Sequence, residues 1–508
     1  MDAVFLKSFI PEFFLSVAIL SQLVWNIRLV TDLNYNFPVI EKEVFYQTLV
    51  ILVGLLFLLS QLKIEGYVSN FLFINDESTR ILKISLVFIC LAILGIVQET
   101  FSLEKLNFFE FFVIFLIALL SLLLLISSSD LISFYLIIEL QSLCFYILAS
   151  FKRDSSFSTE AGLKYFISGA FISGFFLFGC SILYGCLGTL NLNALNLIFS
   201  FSFINFDSQF KAAVLLGVVF VTVTLLFKIA CAPFHFWSPD VYEGSPLSST
   251  IVFSIVPKIS LIHFFIKWIS LISALDSINI FLLYCGVFST LVGTFYALSQ
   301  NRLKKLIIYS SIAQIGFLVV GLSLNTLNGY ISVLFFLCIY LVTSILIWGH
   351  FSLFYLFQFN TNSFFNKESS TLFLSSLTNL FSANKLWAFS FVIIFFSIGG
   401  IPPLTGFLSK IFILSEVVNS SDYFCAFLLI IISSISVFYY IRIVKVMFFE
   451  PTKLENYYEQ FQTIFYSSAL DNVYLIISLS LSFLLITFFI PTNFLLYCQY
   501  IILSISNL

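Results

Sequence analysis

Four ionisable side chains stand where a hydrocarbon environment would be expected. Glu139, Lys228, Lys258 and Lys410 each lie inside an otherwise apolar run. A charge at the centre of a membrane helix costs about 2.5–3.5 kcal/mol on insertion scales and more in simulations, so such residues tend to mark ion or proton pathways. An amine's hold on its proton depends on its surroundings: a facing carboxylate tightens it, and desolvation or a second cation loosens it. The chemistry these residues suit is stepwise proton transfer. The competing reading for each is a structural ion pair or a side chain that snorkels to the surface.

Two further residues could serve as relays. Lys164 follows Glu160 by four residues, a spacing that equally suits a surface pair at a helix start. His235, in Pro233-Phe-His-Phe-Trp237, carries an imidazole that titrates near neutrality. His263 is read as hydrogen-bonding a carbonyl. Lys152, Lys304 and Lys305 sit at span ends among other cations and read as structural ion pairs or snorkelling side chains, while Ser310, Ser311 and Gln314 form a polar stripe.

Two interrupted segments must position these groups. Lys228 ends a long apolar run, Pro233 follows, and a polar loop with Asp240 and Glu243 comes next. Gly399-Gly-Ile-Pro-Pro403 breaks the run 385–418, with Lys410 beyond it. A proline-broken membrane helix frees backbone groups that only neighbouring protein or internal water can satisfy. Matched interruptions in two halves of a chain predict an internally repeated transporter, although lysine precedes the prolines in one segment and follows them in the other.

Composition sets the class. The 508 residues are 60% hydrophobic and only 10% charged, against roughly 25% charged in soluble domains. This predicts an integral membrane protein. A net charge of −3 argues against a nucleic-acid partner. The nine cysteines are scattered singly, without metal-ligand spacing, so no metal site or disulfide framework is expected. The start of the chain, with Asp2, Lys7 and Glu12, lacks the pattern of a cleavable signal. Phenylalanine occurs 68 times and methionine twice, a bias that fits an AT-rich organelle genome. No Walker or Rossmann loop appears, so the chain is expected to draw energy from partners or an ion gradient rather than from its own ATP or NADH site.

Apolar runs of about 20 residues suffice to span a bilayer. Such runs lie near 5–26, 44–63, 81–98, 108–128, 130–151, 160–186, 209–232, 247–273, 278–299, 303–324, 328–357, 385–418, 423–449 and 471–497. The polar stretches 27–43, 188–211, 358–384 and 450–470 read as connectors. Placing the N-terminus outside puts Arg28, Lys42, Lys105, Lys152, Arg153, Arg302, Lys304, Lys305, Lys367, Lys385, Arg442, Lys445 and Lys453 on the inner side. Lys63, Arg80, Lys83, Lys211 and Lys267 then fall in outer loops.

Several motifs carry a resemblance. Glu139-Leu-Gln-Ser-Leu-Cys-Phe-Tyr146, Ser158-Thr-Glu-Ala-Gly-Leu-Lys-Tyr-Phe166, Pro233-Phe-His-Phe-Trp-Ser-Pro-Asp-Val-Tyr-Glu-Gly-Ser-Pro246, Lys304-Lys-Leu-Ile-Ile-Tyr-Ser-Ser-Ile312, Gly400-Ile-Pro-Pro-Leu-Thr-Gly-Phe-Leu-Ser-Lys410 and Tyr439-Tyr-Ile-Arg-Ile-Val-Lys-Val-Met-Phe-Phe449 are among them. Together they resemble the chain 2 family of mitochondrial NADH:ubiquinone oxidoreductase (respiratory complex I), one of its antiporter-like membrane-arm subunits. The motifs cover about 130–450 in the family's order; outside them only Pro11-Glu12-Phe-Phe matches beyond hydropathy.

The resemblance implies an all-α polytopic membrane protein of about 14 transmembrane helices, with two inverted five-helix repeats that each contain a broken helix. It divides the chain into N-terminal helices over 1–107, a first repeat over 108–273, a second over 278–449, and a connector with a C-terminal helix over 450–508. It implies proton translocation by Glu139, Lys228, Lys258 and Lys410, with Lys164 matching a further lysine of the family. Gln314 stands where the family usually has histidine; an amide can hold water but cannot take up a proton near neutral pH. The resemblance also implies no cofactor in this chain, with FMN, iron–sulfur clusters and quinone in partner subunits of a large hetero-oligomer in the mitochondrial inner membrane. A subunit of a multisubunit cation/proton antiporter and a purely structural spacer of the arm are the alternatives.

Overall fold

Apolar length decides most of the architecture, because a backbone in hydrocarbon must satisfy its own polar groups and a helix does so locally. The computed structural model describes residues 8–32, 38–61, 66–68, 72–104, 109–202, 207–273, 275–361, 373–449 and 471–506. Lys63, Lys105, Lys367, Lys453 and the connector 450–470 lie outside the described residues. In chain order the helices are α1 (Ile10–Asp32), α2 (Pro38–Gln61), α3 (Glu77–Glu104), α4 (Glu110–Ser127), α5 (Leu131–Ala149) and α6 (Ser156–Leu187). Then come α7 (Leu192–Leu197), α8 (Ser208–Lys228), α9 (Trp237–Gly244), α10 (Leu247–Leu271), α11 (Asp276–Ser299), α12 (Leu303–Ser323) and α13 (Leu327–Thr361). The last are α14 (Leu380–Ala383), α15 (Lys385–Gly399), α16 (Thr405–Asn419), α17 (Tyr423–Phe449), α18 (Asp471–Phe489) and α19 (Pro491–Ser506).

Among the described residues, thirteen of these helices are long and apolar enough to cross a membrane. The run 385–418 is instead two helices of 15 residues each, α15 and α16, meeting at the Gly-Ile-Pro-Pro break. The expected span 471–497 is also divided: α18 stops at Phe489 and Pro491 opens α19, because proline cannot continue a helix but suits its first position. The chain is not helical throughout. Strands β1 (Gly66–Val68) and β2 (Phe73–Asn75) pair antiparallel, with Tyr67 opposite Ile74, where a short connector rich in β-branched and aromatic residues has no length for a helix.

Helix α10 forms the axis of the bundle: its apolar window is buried on every side. Helices α12, α13 and α4 are next in burial, whereas α1, α2, α6, α17 and α18 keep apolar faces outward. Close approach of α11 to α12 rests on Gly293, where an added Cβ would lie 2.6 Å from the Ala313 nitrogen. Small residues of this kind let membrane helices pack backbone to backbone.

The two ends of the bundle differ. One carries the β-hairpin, tied by the bridge from Phe73 to Ser128, with a second bridge from Asp130 to Asn191 close by in the chain. The other gathers Lys152, Arg153, Arg302, Lys304, Lys305, Arg442 and Lys445, with Arg442 donating to the Leu298 carbonyl at 3.3 Å. Four cations assigned to outer loops lie in helices instead, Arg80 and Lys83 in α3, Lys211 in α8 and Lys267 in α10, and two of them are buried. Lys83 is buried in α3, 2.6 Å from the Glu12 carboxylate, and Lys267 is buried in α10, donating to the Ile126 carbonyl at 3.2 Å. Each finds an internal acceptor, which spares it the cost of an unpaired buried charge.

Candidate functional site

The local fold at the two breaks is the same. At the end of α8 the chain turns through Ala230 in the left-handed region (φ 62), with Cys231 N–H bonding the Leu226 carbonyl at 2.9 Å and Ala230 N–H bonding that of Phe227 at 3.0 Å. At the end of α15, Gly400 (φ 81) takes that place, with Ile401 N–H on Phe396 at 3.0 Å and Gly400 N–H on Ser397 at 3.1 Å. Both are Schellman closures, which satisfy terminal carbonyls. Each leaves the negative pole of a helix dipole inside the protein, where a cation is favoured.

A lysine occupies each pole. Lys228 is in the last turn of α8. Lys410 reaches back from the second half-helix, and its ammonium donates to the Gly399 carbonyl at 2.9 Å. The opposite order of proline and lysine in the two segments therefore has one electrostatic result. The indole of Trp237 donates to the Phe227 carbonyl at 3.0 Å, fixing α9 against the end of α8.

Lys258 stands between the two breaks. It follows Pro257, whose ring nitrogen cannot donate to the Phe253 carbonyl one turn back; the Tyr242 hydroxyl supplies that bond at 3.4 Å. The Lys258 ammonium donates to the Tyr340 hydroxyl from α13. Lys258 and Lys410 are only 4% and 5% exposed.

Three small separate cavities, each with several polar side chains in its lining, lie in succession along these residues. The first, about 20 Å³, is lined by Gln141, Ser142, Tyr165, Lys228, Tyr242 and Lys258 among others. Tyr242 also lines the second, about 30 Å³, with Ser254, Ser310, Ser311, Gln314 and Tyr340. Gln314 and Tyr340 also line the third, about 20 Å³, with Ser397, Ser409 and Lys410. Each is large enough for one or two water molecules, at about 10–15 Å³ apiece, and offers the polar partners water requires. Gln314 is anchored by donating to the Ile398 carbonyl at 3.2 Å.

Glu139 stands at the start of the row. It is the charged group that Lys228 senses, yet the two do not close an ion pair, and one Glu139 carboxylate oxygen is buried without a hydrogen-bond partner. Tyr135 and Tyr146 share its electrostatic surroundings. The structure thus sets Glu139 and Lys228, both half-buried, and Lys258 and Lys410, both buried, along one row.

Lys164 lies apart. It is 48% exposed and bridges Glu160 at 2.8 Å and Asp240 of α9 at 3.1 Å, the surface pairing that its spacing allowed. His235 is buried beside the first break with Nδ1 unpartnered, and it lines none of the three cavities. His263 faces the Ile126 carbonyl, an acceptor of the kind expected of it, without closing a full hydrogen bond at either ring nitrogen. Sequence reasoning missed Tyr340 and Tyr242, which carry no local signal among 23 tyrosines. It also missed Glu104, whose carboxylate accepts from Leu247 N–H at 2.6 Å and Ser248 Oγ at 2.9 Å, capping α10 from a helix far away in sequence.

A family model described as NADH:quinone oxidoreductase/Mrp antiporter, transmembrane, matches residues 128–436. NADH-ubiquinone oxidoreductase chain 2 of Marchantia polymorpha is 36% identical over 447 residues, 87% of this chain and 88% of that one. The chain belongs to the chain 2/subunit N family of NADH:quinone oxidoreductase. Subunit N of NADH-quinone oxidoreductase from Pelagibacter ubique is 33% identical, covering 88% of this chain and 90% of its own length. In fold, this chain 2/subunit N protein is similar to a chain of respiratory complex I from Thermus thermophilus, with a TM-score of 0.70 at 24% identity, over 93% of this chain and 97% of that one. It is accordingly an antiporter-like complex I membrane subunit.

Proposed function

We propose that this subunit moves protons through the row Glu139, Lys228, Lys258, Lys410, driven by quinone reduction elsewhere in respiratory complex I, and that it resides in the mitochondrial inner membrane. The observation that supports this most is the succession of three separate small cavities whose neighbours share Tyr242, Tyr340 and Gln314 as lining residues, so that polar side chains stand between the lysines. Glu139 facing Lys228 without contact is an ion pair held open, and closing or opening it changes how firmly Lys228 keeps its proton. Released protons pass by way of Tyr242 to Lys258 and by way of Tyr340 and Gln314 to Lys410. Gln314 relays through bound water rather than by titrating. Moving one charge against the membrane potential costs about 2.3 kcal/mol per 100 mV, a sum that making or breaking a poorly solvated ion pair can supply.

The matching Schellman closures support two inverted repeats, over 108–273 and 278–449, with α8–α9 and α15–α16 as corresponding broken elements. In this reading FMN, iron–sulfur clusters and quinone belong to partner subunits, and this chain supplies only the protonic part.

The test replaces Lys258 with methionine in the assembled complex and measures protons moved per electron at normal quinone reduction. A reduced ratio is expected; an unchanged ratio with normal assembly leaves only a structural spacer. Sodium-dependent transport by the chain without dehydrogenase partners would instead assign it to the antiporter class.

A further inference from the structure

We propose that this chain exchanges protons with water at its hairpin end, through a chamber beside Lys267 and His263. The inference rests on the proton-translocation reading above and adds the side and the residues of access.

The chamber is a cavity of about 170 Å³, against 20–30 Å³ for the cavities of the row. At about 10–15 Å³ per water molecule it holds several. Its polar lining is Ser128, Ser129, Asn193, Asn196, Lys267 and Ser270, a mixture of donors and acceptors suited to water. Most of these stand at helix ends on the hairpin side. Lys267 is 6% exposed, and its ammonium gives one hydrogen to the Ile126 carbonyl, leaving two for the chamber.

His263 lies one turn deeper on the same face of α10. It is 1% exposed and faces the Ile126 carbonyl, which also accepts from Lys267, without closing a full hydrogen bond at either nitrogen. A dry, unpartnered imidazole is costly, and water reaching in from the chamber removes that cost. Lys83, held by Glu12 at 2.6 Å and Asn75 at 2.9 Å, and Asp76 are the other charged groups that face this pair. From Lys258 to His263 is five residues of one helix, roughly 7.5 Å of rise and about 140° of rotation. Lys258 now points to Tyr340 on α13, so this interval is the gate. A proton leaving the Lys258 ammonium passes to the His263 imidazole and from the imidazolium to chamber water. The neutral Lys258 amine then regains a proton from the row, and nothing is oxidised or reduced.

At the other end the charged side chains are paired with one another. Glu243 pairs with Arg302 at 2.6 Å and Lys305 at 2.8 Å, and Lys304 donates to the Ser245 carbonyl at 3.2 Å, tying the end of α9, next to Tyr242, to the start of α12. Glu104 fixes the start of α10 beside them.

The test uses the assembled complex in sealed vesicles. Asn196→Cys is exposed to a membrane-impermeant methanethiosulfonate from each side, with the parent as control for native thiols. Labelling about tenfold faster from the hairpin side is expected; equal or reversed labelling overturns the inference. His263→Leu and Lys267→Met are expected to lower the protons moved per electron by about half, the effect of losing a charge-bearing step in the membrane, with Lys267→Arg restoring most of it. A normal ratio in both, with Lys258→Met still impaired, overturns the chamber and leaves the row intact. A normal ratio in Lys258→Met as well defeats the translocation reading itself. Should Lys267→Met fail to assemble, the labelling result and His263→Leu decide.

Discussion

Lys410 of α16 donates to the carbonyl of Gly399, the last residue of α15, at 2.9 Å. The bond joins two half-helices across the Pro402-Pro403 break and places a cation on the negative end of α15. Gly400 makes the contact possible. Its φ of 81 lies in the left-handed region, and an added Cβ would come within 2.9 Å of Lys410 Cδ. Gly400→Ala is therefore expected to destabilise the break by about 1–2 kcal/mol from backbone conformation alone and to displace Lys410. Reduced proton stoichiometry in an assembled complex, more than loss of quinone reduction, is the expected readout. Wild-type pumping by this variant would show that the Lys410 position is not critical.

The pairing of Lys258 with Tyr340 makes a sharper prediction. Tyr340→Phe keeps the ring and removes only the hydroxyl that receives the ammonium's hydrogen bond. Hydrogen bonds to charged groups are worth about 1.5–3 kcal/mol, so a loss of roughly tenfold or more in coupled turnover is expected. If the two residues act as one relay, Lys258→Met combined with Tyr340→Phe should be little worse than Lys258→Met alone. Additive losses in the cycle would separate them.

Much of this arrangement was legible in the sequence because membrane helices announce themselves by length and because charges within them are rare. Glu139, Lys228, Lys258 and Lys410 stood out for that reason, and so did the two breaks. The partners of those charges did not. Tyr340 and Tyr242 look like any aromatic residue in an apolar run, and only tertiary packing sets their hydroxyls between the lysines. Lys83 and Lys267 were misassigned to loops because each lies within two turns of a span end, and the buried Glu12 and Ile126 acceptors come from distant segments. The register of proline and lysine also hid the likeness of the breaks, which lies in backbone closure and dipole rather than in residue order.

Lys164 should behave unlike the row. Its ion pairs with Glu160 and Asp240 are about half exposed, and pairs of that kind contribute roughly 0–1 kcal/mol and weaken with salt. Lys164→Ala is expected to assemble and to leave the proton-to-electron ratio within error of wild type. A ratio as low as that of Lys258→Met would place Lys164 in the path, reached from a surface that a neighbouring subunit covers.

Glu104 carries the last prediction, and it separates stability from transport. Helix α10 begins at Leu247 after Pro246, so no local side chain caps it, and the first N–H groups of a helix need acceptors when buried. Glu104 supplies them from the end of α3, at 2.6 Å to Leu247 N–H and 2.9 Å to Ser248 Oγ. Glu104→Ala leaves those donors buried and unpaired, at about 1–3 kcal/mol for such a group. The central helix of the bundle would be loosened at its cationic end while every residue of the row kept its identity. The expected result is less assembled complex and a lower thermal-inactivation temperature, with a normal proton ratio in the fraction that assembles. Glu104→Gln, which retains one acceptor oxygen, should recover part of the yield. A variant that assembled fully but pumped poorly would instead make Glu104 part of the proton route at that end.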